Sequence, residues 1–301
     1  MKKYFLTLLL CCCTIICAQA QLLWRVSGNG LKNPSYVMGT YHLAKVAFVD
    51  SVPQLRQAMS NCQQVAGEMD MTKLMNDGDA IKRMHQSMML PEGTTIEGVL
   101  SGDELSRFNT FLTNTLGGDL KNPMLVTLAR MKPAAILTQL QAVLCMKMDP
   151  GFNPNEQFDT YFQQFALEHG KQVAGLETMD EQVNLLFNQT PLKRQAEQLM
   201  CLVDDPDYQT SLLRRIIGAY YAQDLNRVET LMNEKRHNTC DSTPEEEELL
   251  IYARNAHWAK ALPSLMGARS TLVVVGAAHL PGERGLLELL RKAGYEVTPC
   301  R

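Results

Sequence analysis

The sequence lacks the short motifs of several common enzyme classes. It contains no G-x-S-x-G, no H-E-x-x-H, and neither the P-loop nor the dinucleotide-binding glycine pattern. It also lacks a surplus of positive charge, since the formal net charge of the 301 residues is −3. Proteins that bind nucleic acid or anionic membranes usually carry a basic excess, so we expect neither kind of partner.

Cysteine pairs of the C-x-x-C type are also missing from residues 21–301, so a zinc ribbon and a thioredoxin-like site have no support. An odd number of cysteines remains there, which allows two internal disulfides and leaves one thiol in an oxidising compartment. Cys201 and Cys240 lie in polar, turn-rich surroundings, and we predict a bridge between them. The pairing of the others is left open: Cys62, Cys145 and Cys300.

Residues 1–20 have the pattern of a secretory signal peptide. Two lysines precede an apolar stretch, and Ala18-Gln19-Ala20 is a small-x-small cleavage site. The apolar stretch is short for a permanent transmembrane helix. Acylation of Cys17, as in a lipoprotein, is a weaker alternative because Ile16 stands where a small residue is usual. We therefore predict a periplasmic or secreted protein without a transmembrane anchor once the signal peptide is removed.

No linker rich in Gly, Ser or Pro interrupts residues 21–301, so we predict one domain. Its expected class is α/β: a central mixed sheet of five or six strands formed from both chain ends, with large helical insertions. We also predict a helical subdomain at about 71–165, which is free to move as a lid. The predicted strands are Leu22–Ser27, Ser35–Gly39, Gln64–Asp70, Lys171–Glu177, Thr271–Ala277 and Tyr295–Thr298.

Two of the predicted strands end in the same pattern, a glycine followed three residues later by a histidine. The two copies are Gly39-Thr-Tyr-His42 and Gly276-Ala-Ala-His279, while Glu68 and Glu177 stand at the ends of two further strands. Ligands of open α/β sheets bind at the carboxyl ends of the strands, so these four side chains predict one site. Two imidazoles with one or two carboxylates suit a divalent metal ion such as Mn, Co or Zn. A bound ion would support hydrolytic chemistry.

A histidine at a strand end is more often a hydrogen-bonded structural residue than a metal ligand. The glycine-histidine pattern occurs twice, which weakens the structural interpretation. If each histidine served only the fold, the same local requirement would have arisen by chance at two strand ends. The remaining histidines lie in polar helix faces or loops, and we predict surface positions for them: His85, His169, His237 and His257.

Methionines are frequent between Met69 and Met89. Filling of the core is the usual explanation for such a run. The alternative is a pliable apolar groove for peptide or lipid, since the thioether side chain adapts to irregular surfaces.

Nearly the whole of residues 21–301 resembles the TraB/GumN family, which is related to the Tiki proteases and to the erythromycin-esterase-like group. The resemblance implies a metal-dependent, peptidase-like site that uses the two G-x-x-H histidines and a glutamate. It rests on Leu23-Trp24, Gly39-Thr-Tyr-His42, Gly67-Glu68-Met-Asp70, Val173-Ala-Gly-Leu-Glu177-Thr, Arg254-Asn255-x-x-Trp258-Ala259, and Val275-Gly-Ala-Ala-His279-Leu-Pro-Gly-Glu283 with Gly285 and Gly294-Tyr295.

Transferred to this sequence, the resemblance implies His42, Glu68 and His279 as metal ligands. Either Glu68 or Glu177 would act as the general base on the metal-bound water. The family often has a charged residue where this chain has Ala253. That departure does not affect the expected ligands.

Arg254 and Asn255 match the helical Arg-Asn pair of the family. The resemblance implies that they orient a carboxylate or hold a substrate carbonyl, so we expect Arg254 in a catalytic or substrate-binding role and Asn255 in substrate binding. Neither residue belongs to the expected metal ligands.

The leading hypothesis is a secreted or periplasmic, metal-dependent hydrolase, with a peptidase as the preferred class. Whether its substrate is a peptide or a small molecule is left open. A second hypothesis is a binding protein that captures a peptide, or a haem through histidine, in the same pocket without turnover. A third is an envelope protein whose histidines only connect strand ends. The oligomeric state is left open.

Overall fold

The computed structural model describes residues 21–149 and 151–301, with the backbone alone at Met75 and Asn76. The predicted signal peptide and Cys17 lie outside the described residues. Within the described ranges, no helix combines the length and the apolar character needed to cross a membrane.

The described residues form six strands: β1 (Leu23–Ser27), β2 (Ser35–Thr40), β3 (Gln64–Met69), β4 (Gln172–Glu177), β5 (Thr271–Gly276) and β6 (Glu296–Pro299). They make one sheet with the order β4-β3-β5-β2-β1-β6. The four strands β4, β3, β5 and β2 are mutually parallel. Beyond β2, the sheet continues with β1, which is antiparallel to β2, and with β6, which is antiparallel to β1. The predicted α/β class with a central mixed sheet is confirmed.

Burial explains why the central strands have continuous apolar sequences. All six residues of β2 and five of the six residues of β5 are buried, as expected for parallel strands that are covered on both faces. The first two predicted strands pair as an antiparallel hairpin, with Leu23 of β1 opposite Met38 of β2. Strand β3 ends one residue earlier than predicted, because the Asp70 side chain accepts hydrogen bonds from two backbone N–H groups of the next helix.

Helices fill the long segments between the strands, and the sequence marks several of their starts. Capping boxes open the helices that begin at Gly102, Met179 and Pro244. Pro133 is the first residue of the helix that ends at Met148, where its missing N–H has no intrahelical partner to lose. The helices are α1 (Leu55–Asn61), α2 (Met71–Asn76), α3 (Gly78–Met88), α4 (Gly102–Leu116), α5 (Pro133–Met148), α6 (Phe158–Glu168), α7 (Met179–Phe187), α8 (Leu192–Asp204), α9 (Pro206–Tyr221), α10 (Leu225–Met232), α11 (Pro244–Glu247), α12 (Ala253–Ala268) and α13 (Leu286–Lys292).

Short 3₁₀ segments lie at Val46–Ser51, Ile96–Gly98, Val126–Arg130 and Ala277–His279. A π-helical turn, Glu248–Tyr252, joins α11 to α12. Such turns are rare and occur often at functional sites. It directly precedes the Arg254-Asn255 pair on α12.

The described residues pack into a larger core around the sheet and a second core among the helices. The second core combines apolar residues of α4 and α5 with others of α7 and α8. Since α7 and α8 contribute to it, the second core extends past residue 165. The helical subdomain at about 71–165 stays a prediction.

The Cys201–Cys240 disulfide is present, which confirms the predicted pair. It ties α8 to the loop that precedes α11. The three other cysteines of the described residues are buried free thiols: Cys62, Cys145 and Cys300.

Candidate functional site at the carboxyl edge of the sheet

Four parallel strands end side by side at one edge of the sheet. In the order of the strands, their ends carry Glu177, Glu68, His279 and His42. The expected juxtaposition follows from the parallel arrangement, because parallel strands place their carboxyl ends at the same edge. His279 Nε2 lies 4.0 Å from Glu68 Oε1.

The glycines of the two G-x-x-H patterns allow this close packing. A Cβ on Gly39 would lie 2.8 Å from Leu280 Cδ1 and 3.2 Å from Ala277 Cα. The turn after β5 is therefore in contact with the end of β2. A Cβ on Gly276 would lie 3.3 Å from Glu68 Oε1. The backbone N–H of Gly276 donates to that oxygen at 2.8 Å.

Arg254 connects three of the four strand ends. Its Nε and Nη2 donate to the two oxygens of Glu177 at 2.7 and 2.9 Å. Nη2 also donates to Glu68 Oε2 at 2.7 Å, and Nη1 donates to His279 Nε2 at 3.1 Å. The guanidinium lies over the ring of Trp258, one helical turn further along α12. Both glutamates are largely buried. The positive charge of Arg254 therefore offsets negative charge that solvent does not screen.

The buried side chain of Asn255 fixes the tautomer of His279. Its Nδ2 donates to the carbonyl oxygens of His279 and Arg284 at 3.1 and 2.9 Å. Its Oδ1 therefore accepts from His279 Nδ1, at 2.8 Å. Arginine can only donate hydrogen bonds, so the contact between Arg254 Nη1 and His279 also requires a lone pair on His279 Nε2. Both N–H donors of the Asn255 amide are used in this arrangement, its oxygen accepts from the His279 ring, and the residue is fully buried.

Burial lowers the pKa of His279 to about 4. The nearby carboxylate of Glu68 opposes this effect, whereas the positive charges of Arg254 and His42 add to it. His279 is therefore a neutral imidazole at neutral pH, with Nε2 as its lone-pair atom.

His42 pairs with Asp159 of α6. Its Nδ1 lies 2.5 Å from Asp159 Oδ2, and Thr40 Oγ1 donates to the other oxygen of that carboxylate. The negative charge of Asp159 raises the pKa of His42 to about 9, with burial opposing it. The ring lies among many protein atoms, yet 71% of its side-chain surface is open to solvent. Within the described part of the chain, His42 Nε2 has no hydrogen-bond partner.

Asp159 was not among the residues predicted from the sequence. It stands in the first turn of a helix, where an acidic residue is explained by the helix dipole alone. Only the packing of α6 against the sheet brings it to His42, which is 117 residues away in the sequence.

The two glutamates differ in what surrounds them. Burial acts to raise the pKa of Glu68, but the charge of Arg254, followed by that of His42 and the N–H of Gly276, lowers it below its usual value. Glu68 Oε2 also accepts from Gln182 at 3.1 Å. Glu177 is bound by Arg254 and by Trp258 Nε1, at 3.0 Å, and its side chain is 8% exposed.

The residue types suit a divalent ion, although the geometry is not that of a formed metal site. In each of His42 and His279 an acceptor holds Nδ1, which leaves Nε2 for a ligand as in metal-bound histidines. Three converging His, Cys, Asp or Glu donors are not found among the described residues. Arg254 donates both to His279 Nε2 and to Glu68 Oε2. Binding of an ion at these atoms thus requires Arg254 to release His279 and His42 to lose a proton.

A sequence model of the TraB/PrgY/gumN family matches residues 22–299. The chain belongs to this family. It is 25% identical to Metalloprotease TIKI2 of Danio rerio over 91% of this chain and 60% of that protein. It is 24% identical to the Metalloprotease TIKI homolog of Amphimedon queenslandica over 95% of this chain and 62% of that protein.

The chain thus spans less than two thirds of the length of these relatives. No solved structure matches the chain significantly. The resemblance inferred from the sequence motifs is confirmed, and the TraB/PrgY/gumN family has relatives that are named metalloproteases.

In this TraB/PrgY/gumN chain a cavity of about 380 Å³ adjoins His42 and Glu68. That volume lies within the range of small-molecule sites. Helices α5, α6 and α7 and the loop before α6 form its walls together with the ends of β3 and β5. Of the four strand-end residues, His42 and Glu68 line this cavity, so a ligand that enters it reaches these two side chains.

Proposed function

We propose that the chain is a periplasmic or secreted hydrolase that cleaves peptides with the help of a divalent metal ion. His42, His279 and Glu68 would hold the ion. One observation carries the proposal: two histidines and a glutamate stand at neighbouring parallel strand ends, and each histidine has its Nδ1 held by an acceptor. The relatives named metalloproteases support the same class of reaction.

A bound ion would supply a water of lowered pKa and would polarise the substrate carbonyl. Glu68, an ionised carboxylate that the Gly276 N–H fixes, would take the proton from the attacking water and pass it to the leaving amine as the peptide bond breaks. Arg254 would remain anchored by Glu177 and by the Leu250 carbonyl when it releases His279. The one N–H of Nη1 that this sets free would then donate to the substrate carbonyl oxygen. Asn255 keeps the His279 ring in the tautomer that presents Nε2, which is a positioning role.

The second candidate is a peptide-binding protein without turnover. It is favoured by the way Arg254 satisfies Glu68, Glu177 and His279 at once. A single guanidinium hydrogen-bonds both carboxylates and the His279 ring without an ion, so the same cavity can serve for capture alone.

The Cys201–Cys240 disulfide supports the proposed location, because disulfides persist in oxidising compartments. It agrees with the signal peptide expected at residues 1–20.

Elemental analysis after loading with Mn, Co or Zn tests the proposed ligands. We expect about one ion per chain in the wild type and a loss of most of it in His42→Ala and His279→Ala, because each change removes a donor. His85→Ala is the matched control, since His85 is exposed on α3.

Equal metal content in the wild type and His279→Ala would refute the metal site. Loss of metal in the two variants, together with no peptide cleavage by the loaded wild type, would favour the binding protein over the hydrolase.

A further inference from the structure

The cavity beside His42 and Glu68 has a mainly apolar wall. Strand ends and the turn after His42 supply one side of it, and α5 with the loop before α6 supplies the other. The apolar residues are Leu43, Met69, Met71, Ala142, Phe152, Pro154 and Val274. Its volume of about 380 Å³ exceeds the space of a few water molecules and is large enough for a bulky side chain.

The ionisable groups that line this cavity are already paired. Glu68 is bound to Arg254, and Asp159 is bound to His42. A charged group that enters the cavity would lose its hydration and gain no free counter-charge, which is costly. The charges of the lining therefore disfavour an acidic or basic side chain in the cavity.

Two of the polar residues in the lining are also engaged. Gln163, which is buried, accepts from the Met71 N–H at 2.9 Å and donates to the Met69 carbonyl at 2.8 Å. Gln182 donates to Glu68. Gln163 thus has both ends of its amide engaged and Gln182 has its donor engaged, so the apolar residues supply most of the surface that a ligand would contact.

The methionine run divides between two surroundings. Met84, Met88 and Met89 pack against the second core, as expected for core filler. Met69 and Met71 line the cavity and are only partly buried. Their flexible thioether side chains can adapt to apolar groups of different shape.

We propose that this cavity binds a large, uncharged, apolar side chain of a peptide and so sets its specificity next to the bond that His42 and Glu68 face. The inference deepens the proposed function and rests on it for the cleavage step. Binding of the side chain can be measured without cleavage.

Fluorescence anisotropy with labelled polyalanine peptides tests the inference. The peptides differ only in their central residue, which is Leu, Asp or Lys, and a chelator is present so that turnover does not interfere. We expect the Leu peptide to bind about tenfold tighter than the charged peptides, because one large apolar side chain leaves water.

Ala142→Glu places a charge in the cavity and should abolish this preference for Leu. Gln141→Glu is the matched control, since it adds the same charge on an exposed position of α5 outside this cavity. Thr138→Trp, at an exposed position on the cavity rim, should weaken binding of the Leu peptide even if Ala142→Glu fails to fold.

Equal binding of the three peptides, or no binding at all, would overturn the inference. A preference for Leu that survives both cavity variants would do the same. A preference for Leu that these variants abolish, without cleavage by the metal-loaded protein, would leave the inference standing and remove the proposed hydrolase.

Discussion

The two G-x-x-H motifs are alike in sequence, but their histidines have opposite properties. His279 is buried, and its surroundings lower its pKa to about 4. His42 is open to solvent, and Asp159 raises its pKa to about 9. The local motif thus determines where each ring stands, whereas partners from α6 and α12 determine its charge. At neutral pH the proposed site combines one neutral and one protonated imidazole.

The largest effect is expected from removal of the cation beside His279. Arg254→Ala leaves Glu68 and Glu177 largely buried without their positive partner, so the free energy of unfolding should fall by about 3–5 kcal/mol. Urea denaturation measures it. Arg284→Ala is the matched control: its ion pair with Glu248 is about half exposed on both sides and is expected to contribute about 0–1 kcal/mol. Similar small losses in both variants would show that Arg254 does not hold the buried network together.

A smaller effect is expected from the residue that orients His279. Asn255→Ala leaves His279 Nδ1 and two carbonyl oxygens without their partner, in a place from which water is excluded. An unsatisfied buried group costs about 1–3 kcal/mol. We expect a total loss in this range, because the His279 ring N–H is the donor left without an acceptor, whereas carbonyl oxygens tolerate a missing partner better. Thermal or urea unfolding should therefore show a clear loss.

Asn114→Ala serves as the control for that change, since Asn114 is exposed on α4 and a surface substitution usually changes stability by about 0.5 kcal/mol or less. If Asn255→Ala were as stable as this control, the proposed orientation of His279 would be wrong.

The smallest effect concerns the pH dependence of stability in the metal-free protein. Between pH about 6.5 and 4 the unfolded chain binds a proton at His279 and the folded chain does not, so stability falls as the pH falls through this range. For His42 the folded chain retains the proton up to about pH 9, so its contribution is full below about pH 6.5 and is lost as the pH rises towards 9. Tm against pH should flatten on the acid side in His279→Gln and on the alkaline side in His42→Gln. Unchanged slopes in both variants would contradict the two pKa shifts.

The sequence by itself determined the strands and the residues at their ends. Apolar, β-branched runs that stop at Gly39 and Gly276 are local signals, and the parallel rule then brings His42, Glu68, Glu177 and His279 to one edge. The Cys201–Cys240 pair was also predictable from its polar surroundings. In these cases the information lies within a few residues of the feature.

The tertiary structure alone decided which partners those residues have. Arg254 reaches Glu68 across 186 residues and His42 reaches Asp159 across 117, and no local pattern encodes either contact. Substrate binding by Asn255 stays a prediction, and only the packing shows that its amide contacts His279 and Arg284. The physical reason is that strand ends follow from backbone geometry, whereas the charge of a buried side chain depends on the helices that pack against it.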